Sequence, residues 1–363
     1  MSMPRFIAFY LPQYFPTKEN DEWWQKGFTE WLNVGRAKPL FKGHYQPKVP
    51  TDLGYYDLRI PEVREEQANL AREAGIEGFC YWHYWFAGQR LLDRVFTEVV
   101  RDKKPDFPFC LCWANHSWSR KRWDSKFKDK MLMEQTYPGV DDYIAHFNAM
   151  LSAFQDSRYI KKDGKLLFGI YAPTDIPDFQ LMKNTWNDLA QKNGLNGFHF
   201  FCFTYDKDKI DDLLKLGFDT VSFDYMLAAH NDFKNANFFR RVLTKIKKIF
   251  GLPIIFMYTN YVEYVKKNYV DRNNVCPCII PNFDHSPRSG SRYIIIHDCK
   301  PSIWKKLCEF IIKRNVKRSE QENIVFVKSW NEWGEGNYME PDIEYGKGYI
   351  SSMREAIEES KQI

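Results

Sequence analysis

Ile324-Val325-Phe326-Val327-Lys328-Ser329-Trp330-Asn331-Glu332-Trp333-Gly334-Glu335-Gly336-Asn337 is the stretch that organises the rest of the chain. Its first four residues form a short apolar run, the mark of a buried strand. Two carboxylates follow, Glu332 and Glu335, set among Trp330, Trp333, Gly334 and Gly336. The glycines argue against a regular helix and for a loop with unusual dihedrals. A bare Glu-x-x-Glu is common on solvated helix faces; the strand before it and the glycines within it set this one apart. Two acids in different surroundings are the minimal kit for acid/base work on a glycosidic bond. Flat indoles offer apolar area with a polar handle, which suits the face of a sugar ring.

Similar apolar runs recur along the chain, separated by longer amphipathic segments. The candidate strands are Arg5–Tyr10, Gly78–His83, Phe107–Trp113, Leu166–Tyr171, Gly197–Thr204, Thr220–Tyr225, Cys278–Asp284 and Ile324–Ser329. Helical patterns fill the intervals. Pro61–Ala74 has proline in its first turn and Gly75 at its end. The others are Leu91–Arg101, Asp141–Phe154, Phe179–Lys192, Lys207–Leu216, Ser302–Lys313 and Gly348–Lys361. Strands alternating with helices predict an α/β fold, a (β/α)8 TIM barrel spanning 1–363 as a single domain. Two connections are long, 11–60 after the first strand and 226–276 after the sixth. Ile254–Tyr258 and Tyr293–His297 are candidates for extra strands. Long loops in a compact domain tend to be functional or to carry their own structure.

The 363 residues are 44% apolar, enough for a large core, and the net charge of +5 is mild. Lysines are densest in 234–248 and 299–318, which reads first as solvated helix faces. Weak attraction to an anionic polymer or lipid surface is also open. Aromatic residues reach 17%, more than a core demands. The surplus includes Trp23, Trp24, Trp31, Trp82, Trp85, Trp113, Trp118 and Trp123. The eight cysteines lie mostly inside apolar runs and no C-x-x-C pair occurs, so they read as small buried hydrophobes in a reducing compartment. Phe6–Leu11 lacks a basic leader and a cleavage site, and no apolar stretch approaches the length of a transmembrane helix. The expectation is a soluble, cytoplasmic protein; its oligomeric state is left open.

In such barrels the site forms at the C-terminal ends of the strands. Those ends carry Tyr10 and Gln13 on the first, His83, Tyr84 and Trp85 on the second, and Trp113, Asn115, His116 and Trp118 on the third. The seventh ends at Asp284 and the eighth runs into Trp330, Asn331, Glu332, Trp333 and Glu335. Rings and amides thus converge on one rim, as a carbohydrate site requires. His83 fits either a satisfied core histidine or a site group. His44 and Tyr45, on the long first connection, either line the site or staple the loop. Asp284 with His285 and Arg288 fits a cluster for sugar hydroxyls or a loop-closing salt bridge. Side-chain alternation puts Glu332 on the same face as Lys328 and Phe326, and a lysine inside a barrel needs a partner.

Other chemistries find little support. The histidines lack paired i, i+4 spacing, so neither a metal nor another cofactor is called for. There is no G-x-G-x-x-G and no P-loop. Asp206-Lys207-Asp208 is formally D-x-D, but it opens a helix, where acids are favoured anyway. Aromatic residues and lysine runs are segregated, which argues against nucleic acid.

Several motifs taken together carry a resemblance. They are Phe9-Tyr10-Leu11-Pro12-Gln13-Tyr14, Asn20-Asp21-Glu22-Trp23-Trp24, Gly27-Phe28-Thr29-Glu30-Trp31, His44-Tyr45-Gln46-Pro47, Gly78-Phe79-Cys80-Tyr81-Trp82-His83-Tyr84-Trp85 and Trp330-Asn331-Glu332-Trp333-Gly334-Glu335-Gly336. The chain resembles the WbsX-like proteins, which are related to glycoside hydrolase family 99. The resemblance implies a (β/α)8 barrel, a metal-free site and retaining cleavage of α-mannosidic links by neighbouring-group participation. By the motif match, Glu332 would deprotonate the sugar 2-hydroxyl. Glu335 would protonate the leaving oxygen and then activate water, which asks for a raised pKa. The chain departs from the family pattern at Asn115-His116-Ser117-Trp118, where an acid is expected at the position of His116. WbsX-like proteins are usually encoded among genes for surface-polysaccharide synthesis and carry the label glycosyltransferase by that association. The expectation is therefore a retaining hydrolase or transglycosylase acting on an oligosaccharide or polysaccharide. The alternatives are a glycosyltransferase and a non-catalytic glycan-binding barrel.

Overall fold

Eight parallel strands close into one barrel: β1 (Arg5–Tyr10), β2 (Ile76–His83), β3 (Phe109–Trp113), β4 (Lys165–Ile170), β5 (Phe198–Thr204), β6 (Thr220–Asp224), β7 (Val275–Ile279) and β8 (Ile324–Val327). This computed structural model describes residues 3–119, 130–235, 238–319 and 322–362; Trp123 lies outside them. Each strand pairs in parallel with its sequence neighbours, and β1 closes the ring by pairing with β8. The strands are rich in Phe, Ile, Val and Cys because both of their faces are covered, one by the barrel interior and one by helices. Inside, Phe9 stacks on Trp82 at 4.6 Å and lies 5.5 Å from Phe326, which stacks on Phe201 at 4.6 Å. This ring cluster plugs the barrel.

The helices outside follow the amphipathic segments. Pro61–Ala74 and Phe179–Lys192 form over the residues expected, while Arg94–Asp102, Val140–Phe154 and Pro301–Asn315 differ by a few at their ends. Lys207–Leu216 splits into a 3-10 turn and the helix Ile210–Lys215. Gly348–Ser360 packs between Pro301–Asn315 and Pro61–Ala74 and completes the wall.

The seventh strand needs correction. It covers Val275–Ile279, not Cys278–Asp284. Phe283–Asp284 belongs to a separate three-stranded sheet, antiparallel to Ile294–His297, which runs parallel to Ile254–Met257. Both extra strands thus form, at the rim. The long connections after β1 and β6 carry their own helices: Lys18–Trp23 and Glu30–Arg36 in the first, Tyr225–Asn235 and Phe238–Ile249 in the second.

Candidate active site

Beyond β8 the chain stays tied to both neighbours. Lys328 N–H donates to Ile279 O (2.9 Å) and Trp330 N–H to Phe9 O (2.7 Å). Asn331 clamps the first connection, its Oδ1 accepting from Leu11 N–H (2.7 Å) and its Nδ2 donating to Leu11 O (3.1 Å). Asn331–Glu332 pairs antiparallel with Asn337–Tyr338 around a 3-10 turn, Trp333–Glu335. Both glycines of that hairpin are required. Gly336 has φ +52°, and a Cβ there would lie 2.8 Å from Asp284 Cβ. A Cβ on Gly334 would lie 1.9 Å from Glu30 Oε2.

Glu332 and Glu335 thus reach one pocket of about 150 Å³, lined also by Leu11, Trp82, Tyr84, Ala114, His116, Trp118, Tyr171, Arg288 and Lys328. Lys328 lines the same pocket as Glu332, although alternation does not run unbroken between them, since the strand ends at Val327 and Trp330 packs outside the barrel on Phe79. The partner of Lys328 is Asp224 at the end of β6, 3.8 Å away. Burial pulls the Lys328 ammonium down, but Asp224 and the two site glutamates outweigh it and leave it well above its ordinary value. A groove of about 510 Å³ adjoins on the Glu335 side, and adds Met226, Leu227, Phe283, His285, Arg292 and Tyr293.

The two carboxylates differ in surroundings. Glu332 Oε1 accepts from Trp82 Nε1–H (2.6 Å) and Ser329 Oγ–H (2.9 Å). Burial, then the Glu335 charge, push its pKa up to about 7, against the pull of Lys328, Arg288 and the Trp82 hydrogen bond. Glu335 pairs with Arg288 Nη1 (2.5 Å), and His285 Nε2 lies 3.9 Å away. Burial would raise it as well. The Arg288, His285 and Lys328 charges, with a hydrogen bond to Glu332, bring it below its ordinary value. Arg288 Nε also donates to the fully buried Glu30 (3.0 Å), so one guanidinium holds two carboxylates. The pair therefore keeps one proton near neutrality, and it rests on Glu332. That is the reverse of the loading the resemblance implies, where Glu335 is the raised acid.

Of the other expected site residues, Tyr84, His116 and Trp118 line the pocket. The rest do not. Tyr10 points out of the barrel and donates to Gln67 Oε1 (2.7 Å), because Phe9 takes the inward face. His83 also faces outward, 2.7 Å from His146 Nε2, and burial pulls its pKa to about 3, so it is a neutral core histidine. Trp85 donates to Asp142 (3.1 Å) and Trp113 to Trp85 O (3.1 Å), both packed on His146. Asn115 clamps Ala172 through its amide, and Gln13 is buried off the pocket. Trp31 donates to Tyr56 O and packs on Trp333, whose own Nε1 donates to Glu340 (2.6 Å). Trp330 is buried against Phe79, and Asn331 is spent on Leu11. His44 staples its loop to Asp284 (2.7 Å), and with Tyr45 they line a separate cavity of about 210 Å³ behind the hairpin. Leu11, Trp82, Ala114, Tyr171 and Lys328 were not among the expected site residues, and neither were Glu30 or Asp224; Arg288, weighed with Asp284 and His285, pairs instead with Glu335 and Glu30. Alternation alone would have chosen Trp82 over His83. Among the described residues, no group of three or more His, Cys, Asp or Glu is disposed to hold a metal ion.

The profile of the family described as Glycosyltransferase WbsX matches residues 6–353. A protein described as Uncharacterized protein WxcX, from Xanthomonas campestris pv. campestris, is 33% identical over 362 residues. That match takes in 97% of this chain and 49% of the relative, so the chain spans about half the length of the curated relatives it matches. Among solved structures, one described as a glycoside hydrolase-like protein superposes with a TM-score of 0.62 at 15% identity, covering 98% of this chain and 94% of its own. The GH99 endo-alpha-mannosidase from Bacteroides thetaiotaomicron gives a TM-score of 0.55 at 13% identity, covering 99% and 98%. At these identities the likeness is one of fold.

Proposed function

Because the chain belongs to the Glycosyltransferase WbsX family, we propose that it is a polysaccharide-related enzyme that works on glycosidic bonds in the manner of a glycoside hydrolase. The observation that carries this is the Glu332–Glu335 pair: a buried and a half-buried carboxylate on one hairpin, in different electrostatic surroundings, facing one pocket walled by Trp82, Tyr84, Trp118 and Tyr171. One acid and one base facing the same pocket is the state that retaining chemistry uses.

In the 2-hydroxyl route, the buried Glu332 takes the proton of the sugar 2-hydroxyl as that oxygen attacks the anomeric carbon. Glu335, nearer the groove, gives a proton to the leaving oxygen and later takes one from water or from an acceptor sugar, whose oxygen displaces O2 from the anomeric carbon as Glu332 returns its proton to O2. Hydrolysis and transfer differ only in which hydroxyl enters at Glu335. Sugar oxygens that engage Arg288 loosen its hold on Glu335 and let the proton cross from Glu332. The resting electrostatics favour a second reading, in which Glu332 is the acid and the already ionised Glu335 is the base or nucleophile.

A screen of defined oligosaccharides with mass-spectrometric detection of products tests the reaction. Glu335→Gln is expected to abolish turnover of natural links while sugar binding persists; unchanged turnover sinks the assignment. Aryl glycosides with dinitrophenolate leaving groups, which need no acid, separate the two readings. The variant that keeps activity on them marks the acid, Glu335 in the first reading and Glu332 in the second. Tight nucleotide-sugar binding by calorimetry would point instead to a glycosyltransferase, and glycan binding without turnover to a binding protein.

A further inference from the structure

The connection after β6 carries a feature that the pocket does not use. A surface helix normally turns its apolar face toward the protein body. Phe238–Ile249 does the opposite: among its described side chains Thr244 is the buried one, at 8% exposure, whereas Phe238 is 75%, Leu243 51%, Ile246 42% and Ile249 78% exposed. Phe250 and Leu252, just beyond, are 73% and 51% exposed. Phe238, Val242, Ile246, Ile249 and Phe250 follow i, i+4, i+8, i+11, i+12 spacing, so they form one continuous stripe. Arg241 and Lys245 border the stripe on one side and Lys247 on the other. From 233 to 262 the sequence contains no Asp or Glu.

We propose that this helix is a membrane-surface anchor that lies in the plane of an anionic bilayer. The apolar stripe sinks to the acyl boundary, and the flanking Arg and Lys meet the lipid phosphates. Charge decides between occupants. A second copy of the chain would bring the same basic flanks against each other, and a nucleic acid would leave the apolar stripe unused. Only an anionic lipid surface satisfies both components.

The helix packs on Tyr225–Asn235, which leaves the C-terminal end of β6 and supplies Met226 and Leu227 to the groove beside Glu335. Docking by this helix therefore brings the groove to the membrane side, suited to a glycan carried on a lipid. That last clause rests on the proposed reaction; the anchoring does not.

Vesicle flotation without substrate tests it. The chain is expected to float with phosphatidylcholine vesicles containing about a third phosphatidylglycerol, to remain behind with pure phosphatidylcholine, and to detach as salt rises. Replacing Lys245 by Gln should weaken binding about fivefold. The double variant Ile246→Asp, Ile249→Asp should lose at least tenfold, with its thermal midpoint and its turnover of a water-soluble glycan unchanged. No flotation of the wild type, or equal flotation of the double variant, overturns the proposal. So does self-association that the double variant abolishes while vesicles are ignored. Flotation in a protein that cleaves no glycan leaves the anchor standing and removes the reaction alone.

Discussion

Replacing Trp82 by Phe removes one atom group from the proton-sharing pair and little else. The ring that stacks on Phe9 is kept in smaller form, but the indole N–H that reaches Glu332 Oε1 at 2.6 Å is gone. That donor serves the ionised carboxylate, so its loss favours the protonated form and raises the Glu332 pKa from about 7. A hydrogen bond to a charged group contributes roughly 1.5–3 kcal/mol, and about 1.4 kcal/mol corresponds to one pH unit, so the pKa should rise by roughly one to two. Ser329 Oγ remains as a donor, which favours the lower end. Both proposed readings require the pair to hold one proton, whichever glutamate carries it. Activity should therefore fall as pH rises past about 7 in the wild type, and the Trp82→Phe limb should sit roughly one pH unit higher. The assay is kcat/KM against pH on a substrate from the screen, with carboxyl NMR titration of the free protein beside it. A basic limb that stays in place or moves down in the variant refutes the reasoning.

Three further outcomes follow from the same geometry. Gly336→Ala should lower the thermal midpoint by an amount equivalent to roughly 1–3 kcal/mol, since Ala resists the left-handed region and its Cβ would press on Asp284; an unchanged midpoint contradicts the hairpin geometry. His83→Leu should leave kcat nearly intact while costing roughly 1–3 kcal/mol of stability through the orphaned His146; a large loss of kcat at full stability would return His83 to the site. Glu340 is buried and its pKa is pushed up to about 7, by burial first, despite donors from Trp333, Gln67 and Tyr56. A raised carboxyl favours the folded state fully below the unfolded value near 4.5, and this contribution is lost as pH rises through about 7. The fall in thermal midpoint from pH 5 to 8 should thus be shallower in Glu340→Gln, and an equally steep fall counts against it.

The barrel was legible because apolar runs, breakers and amphipathic intervals each obey a local rule. Pro61 and Gly75 fix one helix to the residue. The seventh strand slipped because Pro277 reads as a strand boundary. It is tolerated inside β7, where it pairs with Phe223 of β6 before pairing to β8 begins at Cys278. The glutamate pair was legible from its glycines. The surrounding rings were not, because an unbroken aromatic run at a strand end resembles rim throughout, whereas alternation sends Phe9 and Trp82 inward and Tyr10 and His83 outward. The charges that set the two carboxylates apart come from remote positions: Glu30 and Arg288 lie 258 residues apart and meet only once the barrel has closed. No local pattern encodes such a pairing.

The Asn331 clamp on Leu11 joins residues 320 positions apart. During synthesis the ribosome releases β1, the long first connection and most of the wall well before the hairpin that bears Glu332 and Glu335. Until that hairpin emerges, β1 has an open edge, Glu30 and Arg288 have no Glu335 to share, and the pocket has no proton to move. Contacts of such span form slowly and late. The carboxylate pair is thus assembled in the same event that seals the sheet, and an incompletely translated or incompletely closed barrel lacks the pair altogether.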